Sequence, residues 1–405
     1  MKKLISNSIK VNIVLLGLFP IMPHIVNAVT TASFFILSTL LYITSKIKLE
    51  KSKLLLINSS LYLTYLVSLI YTSNFDYATK HLLTALSLGV LPLAFYFLNS
   101  TNFLKKDEIK ALFLKIFWSA SAVYSFIVYI SFLTFSNPRY PFKDANFFRN
   151  ASTTLPLIDQ HPIYSSIILS LAVLIGIHFL FVTKNKKIKL FIGLVQIIMI
   201  ILLIMLMSKG VILALILGAI ILFNFQLKKT SPIKISYTII FSFFVLILVY
   251  VAIPQKNNRF LQLFNEITYS NLNENNSTSI RMNIYKCAWE KIKKAPLLGY
   301  GFGDVKDELV LCYKSKSPFM VKNLYNSHNQ YLSVFLGMGI LGLIIFLYML
   351  FYNLRIALLA SDYLGFSIII LFCVILFFEN ILERQTGVIL FTFFINLFGH
   401  INLKK

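Results

Sequence analysis

Apolar runs long enough to cross a membrane recur along almost the whole chain, and lysines fill the gaps between them. A helix rises about 1.5 Å per residue, so about 20 apolar residues span a hydrocarbon layer ~30 Å thick. Such runs, a few of them shorter and flanked by side chains that can snorkel, lie near 11–29, 31–45, 54–72, 82–98, 111–134, 163–182, 190–207, 211–226, 233–253, 330–353, 364–379 and 386–401. They predict an all-α polytopic membrane protein of about 12 transmembrane helices, because lipid offers no partners to backbone polar groups and a helix satisfies its own. Composition agrees. The chain is 58% hydrophobic and 13% charged, against about 45–50% and about 25% in soluble domains.

The lysines give the orientation. With the N-terminus inside, the short inside gaps hold Lys46, Lys48, Lys51 and Lys53, then Lys105, Lys106 and Lys110, then Lys184, Lys186, Lys187 and Lys189, then Lys228 and Lys229. Lys2, Lys3, Lys10, Lys404 and Lys405 place both termini on the same side. The short outside gaps hold only Lys80, Lys209 and Arg384. This is the positive-inside asymmetry, and it predicts cytoplasmic termini. The rival reading takes Met1–Lys3 and Val26-Asn27-Ala28 as a cleaved signal peptide, which leaves the inside lysines unexplained. A formal charge of +23 spread in this way marks topology rather than a nucleic-acid surface.

Three regions follow: 1–254 with helices 1–9, an outside loop at 255–327 between helices 9 and 10, and 328–405 with helices 10–12. A shorter outside segment runs over 135–162. Within the large loop, Ile280, Ile284, Cys287 and Ile292 share one helical face over 279–294, and Pro296 stops the helix. This predicts an amphipathic helix at the membrane surface. Cys287 and Cys312 lie in the same loop and pair if it faces an oxidising compartment; Cys373 lies in an apolar run as a packing residue. No fixed-period repeat or inverted pair of broken helices supports a secondary transporter, the reading from another functional class. The main ionisable residues within apolar runs are Lys115 and His178.

Candidate chemistry gathers on the outside. Gly299-Tyr-Gly301-Phe-Gly303 reads either as a tight turn requiring positive φ or as a loop whose N–H groups approach an anion. His328, in Asn326-Ser-His-Asn329, sits where an apolar helix meets water; it is either a capping histidine or one poised to accept a proton. Lys209 occupies the Ser208-Lys209-Gly210 turn at headgroup depth, and Arg281 begins the amphipathic helix. For each, ordinary snorkelling is the alternative to binding a lipid-linked phosphate. His161 and Tyr164 open the sixth predicted helix. Glu379 and Glu383 fall one turn apart, with Arg384 beside them, as candidate cavity-lining groups; Glu383 pairing with Arg384 is the alternative. No set of His, Cys and carboxylates stands at metal-ligand spacing, so neither a metal nor a cofactor is expected.

The ordered set Arg281…Trp289…Ala295-Pro-Leu-Leu-Gly-Tyr-Gly-Phe-Gly303…Ser327-His328-Asn329-Gln-Tyr-Leu332…Gly339…Gly342 resembles the O-antigen ligase and O-antigen polymerase superfamily, over roughly residues 195–350. Glu379…Glu383-Arg-Gln385-Thr-Gly387 is similar to the C-terminal part of some members. The resemblance implies a GT-C-like fold and a metal-independent glycosyltransferase at the periplasmic face of a bacterial inner membrane. The donor is then a glycan on undecaprenyl diphosphate, and the acceptor is the lipid A core for a ligase or a lipid-linked glycan for a polymerase. It further implies that His328 activates the acceptor hydroxyl and that Arg281 binds the donor diphosphate. Lys209 falls where the family usually has arginine, which keeps the charge but not the bidentate fork.

Overall fold

The structure is a computed structural model that describes residues 2–48, 50–101, 106–135, 149, 151–155, 158–228 and 277–402. Every regular element among them is helical. Seven stretches are long and apolar enough to cross a membrane: His24–Ser45, Phe75–Ser100, Glu108–Leu133, Pro162–Val182, Lys186–Met205, Lys209–Leu227 and Gln330–Leu359. Tyr363–Phe378 and Gln385–His400 are shorter apolar helices. The predicted run at 233–253 lies outside the described residues.

The N-terminal boundaries differ from the hydropathy reading of 11–29 and 31–45. Helix α1 (Lys2–Gly17) ends early, a 3-10 turn covers Phe19–Ile21, and α2 (His24–Ser45) runs unbroken. Pro20 and Pro23 are the reason, since neither can donate a helical N–H. Hydropathy sums over prolines that hydrogen bonding does not tolerate. Helices α3 (Lys53–Ser68), α4 (Phe75–Thr84), α5 (Ser87–Ser100) and α6 (Lys106–Phe135) follow. Asn74 caps α4 by accepting the Tyr77 N–H at 3.1 Å, starting this helix seven residues before its apolar run. Then come α7 (Pro162–Val182), α8 (Lys186–Met205) and α9 (Lys209–Lys228).

The bundle interior is aromatic and closely interlocked. Phe113 lies 4.6 Å from Phe393, and Phe34 lies 5.5 Å from Phe95, ring centre to ring centre. Within it Asn353 donates to Asn58 at 2.7 Å, and Asn58 donates to Asn396 at 2.9 Å. In an apolar interior an amide does better bonded to another amide than alone, which fixes the register of three helices against one another.

Outside the bundle, α10 (Ser277–Ile292), α11 (Val305–Lys314) and α12 (Pro318–Asn323) make a small unit with its own apolar core of Ile284, Ala288, Leu309, Tyr313 and Met320. A disulfide between Cys287 and Cys312 joins α10 to α11, with Cα atoms 5.7 Å apart. Asp304 and the Pro296–Gly303 turn help to dock the unit on the bundle. Asp304 accepts the N–H groups of Ser73 at 2.6 Å and Asn74 at 2.7 Å. The Pro296–Gly303 turn wedges into a bend of α13 (Gln330–Leu359), which departs from helical geometry at Gly339, φ 64°. There Tyr300 and Gly301 donate to the carbonyls of Leu336 and Gly337 at 2.8 and 2.9 Å, and Ile340 donates to Pro296 at 2.9 Å. A Cβ on Gly339 would lie 2.0 Å from the Leu297 carbonyl oxygen, so only glycine permits this approach. Helix α14 (Tyr363–Phe378), a 3-10 turn (Ile381–Glu383) and α15 (Gln385–Asn402) complete the described chain.

Candidate functional site

The N-terminal end of α13 is where charged groups converge. Its cap, Asn329, accepts the Leu332 N–H at 3.1 Å and is buried. Immediately before it, His328 has φ 44°, a left-handed conformation more open to His than to most side chains, and one that costs about 1–3 kcal/mol where its surroundings do not enforce it. Here they do. The His328 N–H donates to Asn326 Oδ1 at 3.1 Å, the Tyr285 hydroxyl donates to the His328 carbonyl at 3.3 Å, and the Ser327 hydroxyl donates to the Asn329 carbonyl at 2.8 Å.

Helix α14 ends at Phe378, and its C-cap Glu379 is extended, which turns the carboxylate toward this loop. Glu379 bridges two elements. One oxygen forms an ion pair with Arg281 Nη2 from α10, and the other lies 3.2 Å from His328 Nδ1. Burial opposes ionisation of Glu379, yet the His328 hydrogen bond and the charge of Arg281 outweigh it and hold the carboxyl below its ordinary pKa. A carboxylate can only accept, so Nδ1 of His328 carries the proton and Nε2 is left as the basic nitrogen. That is the orientation a carboxylate gives to a histidine base in hydrolases.

The remaining predicted residues fall in two groups. Lys209 starts α9 beside Gly210, where a Cβ would come within 2.6 Å of Phe378; the lysine turn therefore lies against the end of α14, next to Glu379. Its neighbour Ser208 hydrogen-bonds Ser166 of α7 at 2.9 Å. His161 caps α7. Desolvation and the positive charges of Arg384 and Arg149 push its pKa below the ordinary histidine value, so those groups share one field. Tyr164 is buried beneath the same rim, against Gly387 at the start of α15. Arg384 is exposed and makes no ion pair among the described residues. Gly301 and Gly303 are elsewhere: the first packs against Thr72, the second against Thr72 and Asn74, and the Gly301 N–H is already bonded to α13.

Glu383 does not pair with Arg384. Its carboxylate accepts from Asn326 at 2.6 Å, Asn380 at 2.5 Å and Ser333 at 3.2 Å. Burial pushes its pKa above the ordinary value, against the pull of those three donors. The sequence set the two glutamates one helical turn apart, but Glu379 is extended and Glu383 ends a 3-10 turn, and the two carboxyls shift in opposite directions.

Three contributors carried no clear sequence signal. Arg149 donates to the Leu206 carbonyl at 2.7 Å, at the turn that leads to Lys209. Tyr285 and Asn326 act through hydrogen bonds to the His328 backbone, which no spacing rule announces. Arg149 shares its segment, 135–162, with Arg139 and Lys143, so nothing in the sequence marked it out, and the others carried no signal either.

A cluster that combines a carboxylate-oriented histidine with several cations at the mouth of a membrane bundle suits transfer of a group from an anionic carrier. Residues 194–347 match the family described as O-antigen ligase. The match supports the O-antigen ligase and polymerase superfamily and takes in Lys209, Arg281, Gly301, Gly303, His328 and Asn329. It ends before Glu379, Glu383 and Arg384. No curated protein matches the chain.

Proposed function

We propose that the protein is a membrane glycosyltransferase that moves a glycan from undecaprenyl diphosphate to the hydroxyl of the lipid A core, in the manner of an O-antigen ligase. The observation that supports this reading is the Arg281–Glu379–His328 bridge, in which an arginine and a histidine lie on the two oxygens of one carboxylate. In the reaction, His328 Nε2 takes the proton of the acceptor hydroxyl as its oxygen bonds to the anomeric carbon. The bond from that carbon to the diphosphate oxygen breaks, and the diphosphate leaves with the bonding electron pair. Glu379 stabilises the imidazolium that forms, while Arg281, Lys209 and Arg384 offset the charge on the leaving group. Guanidinium and ammonium groups then do what a divalent cation does in other glycosyl transfers.

The disulfide between Cys287 and Cys312 supports an oxidising compartment for the α10–α12 unit. Together with the lysine asymmetry it supports a periplasmic site, an inner-membrane location and cytoplasmic termini. The function is tested by deleting the gene and resolving surface glycans on gels. Uncapped core with accumulated lipid-linked polymer is the expected outcome. Core capped by single repeat units would instead make the protein a polymerase, and unchanged surface glycans would reject both activities.

A further inference from the structure

The left-handed conformation of His328 is held by Asn326, and Asn326 is held by Glu383. The Asn326 side chain works at both ends. Its Oδ1 accepts the His328 N–H at 3.1 Å, and its Nδ2 donates to Glu383 Oε2 at 2.6 Å. The other carboxylate oxygen takes Asn380 Nδ2 at 2.5 Å and the Ser333 hydroxyl at 3.2 Å. Asn380 also donates to Ser327 at 2.9 Å, so Asn326 and Ser327 before the histidine, and Ser333 after it, are tied to one carboxylate. All three of its donors are neutral.

We infer that Glu383 is a positioning residue for the base: through Asn326 it sets the backbone that aims the His328 ring at Glu379 and at the acceptor hydroxyl. This rests on the reading of His328 as the base. The chemistry requires a carboxylate in particular. Only a carboxylate accepts at both oxygens, and three donors converge on it from two sides. A glutamine there would turn an N–H either on the Asn326 amide or on the Asn380 and Ser333 donors. If Asn326 rotated to relieve this, its own NH2 would face the His328 N–H, and the turn would lose its lock. Glu383 thus determines which way round Asn326 sits. Glu383 makes no ion pair among the described residues, so the contacts that hold its carboxylate are these three neutral hydrogen bonds.

The test is Glu383→Gln, measured for transfer with lipid-linked donor and for thermal stability in detergent. Turnover per folded molecule should fall about 10- to 100-fold, while donor KM stays near wild type, because Arg281, Lys209 and Arg384 are untouched. Adding Asn326→Asp to this variant reverses the polarity of the bond. The introduced carboxylate keeps one oxygen for the His328 N–H and offers the other to the introduced amide, so most of the lost turnover should return. Asn326→Asp alone sets two carboxylates face to face and should not be tolerated. Wild-type turnover in Glu383→Gln overturns the inference, as does a loss that the double variant fails to restore. His328→Ala run in parallel separates the two readings. If it retains turnover, the base assignment falls; if it is inactive while Glu383→Gln is fully active, only the positioning role falls.

Discussion

Two turns bring the α10–α12 unit to the bundle, and they are built in opposite ways. The Pro296–Gly303 turn is fixed by its backbone: Tyr300 and Gly301 spend their N–H groups on the carbonyls of α13, and absent side chains permit the approach. The Asn326–Asn329 turn is fixed by side chains, its own Asn326 and Ser327 together with Tyr285 and Glu383 from other elements, which hold an energetically unfavourable backbone in place and leave one ring nitrogen of His328 uncommitted. The first arrangement consumes the polar groups that a ligand would need; the second concentrates them. A glycine-rich stretch and a histidine in the same loop are thus unequal evidence of chemistry, and what separates them is where the hydrogen bonds go.

The comparison breaks most sharply at His328. His328→Ala should cut glycan transfer by about 10²–10⁴-fold, with expression, membrane insertion and donor binding retained. A well-folded variant with near-normal turnover would make the second turn structural like the first. The cations come next. Arg281→Ala removes a charge-assisted interaction of about 1.5–3 kcal/mol, or roughly 10- to 150-fold in turnover. Lys209→Ala should cost less, and Lys209→Arg should be tolerated because it keeps the charge and supplies the fork. Normal glycan from both alanine variants at normal protein levels would remove the diphosphate from this site. The smallest effect on turnover belongs to Gly301→Ala. At φ 87°, with Thr72 against the new Cβ, the change should lower stability by about 1–3 kcal/mol and reduce the amount of folded protein. Transfer per folded molecule and donor affinity should stay within a few-fold. Loss of donor binding by folded Gly301→Ala would show that the glycine turn also holds the anion.

The sequence alone was enough for the membrane class and for most helix positions among the described residues. Those properties depend on hydrophobic length, which adds up locally along the chain. It was also enough to single out Arg281 and His328, since their order in the loop carries the resemblance. Hydropathy misplaced the first two helices because Pro20 and Pro23 act through missing hydrogen bonds rather than through polarity. The pairing of Cys287 with Cys312 stayed open for want of a distance, and α10 packing on α11 supplied it. The partners of the two glutamates required the fold. Glu383 stands beside Arg384 in sequence yet bonds to Asn326, 57 residues away, while Glu379 reaches Arg281 across 98 residues. Neighbours along a chain share a backbone, but a carboxylate's partner and the direction of its pKa shift are set by which donors surround it and how much water remains. Only the packing of α10, α13 and α14 into one corner decided both.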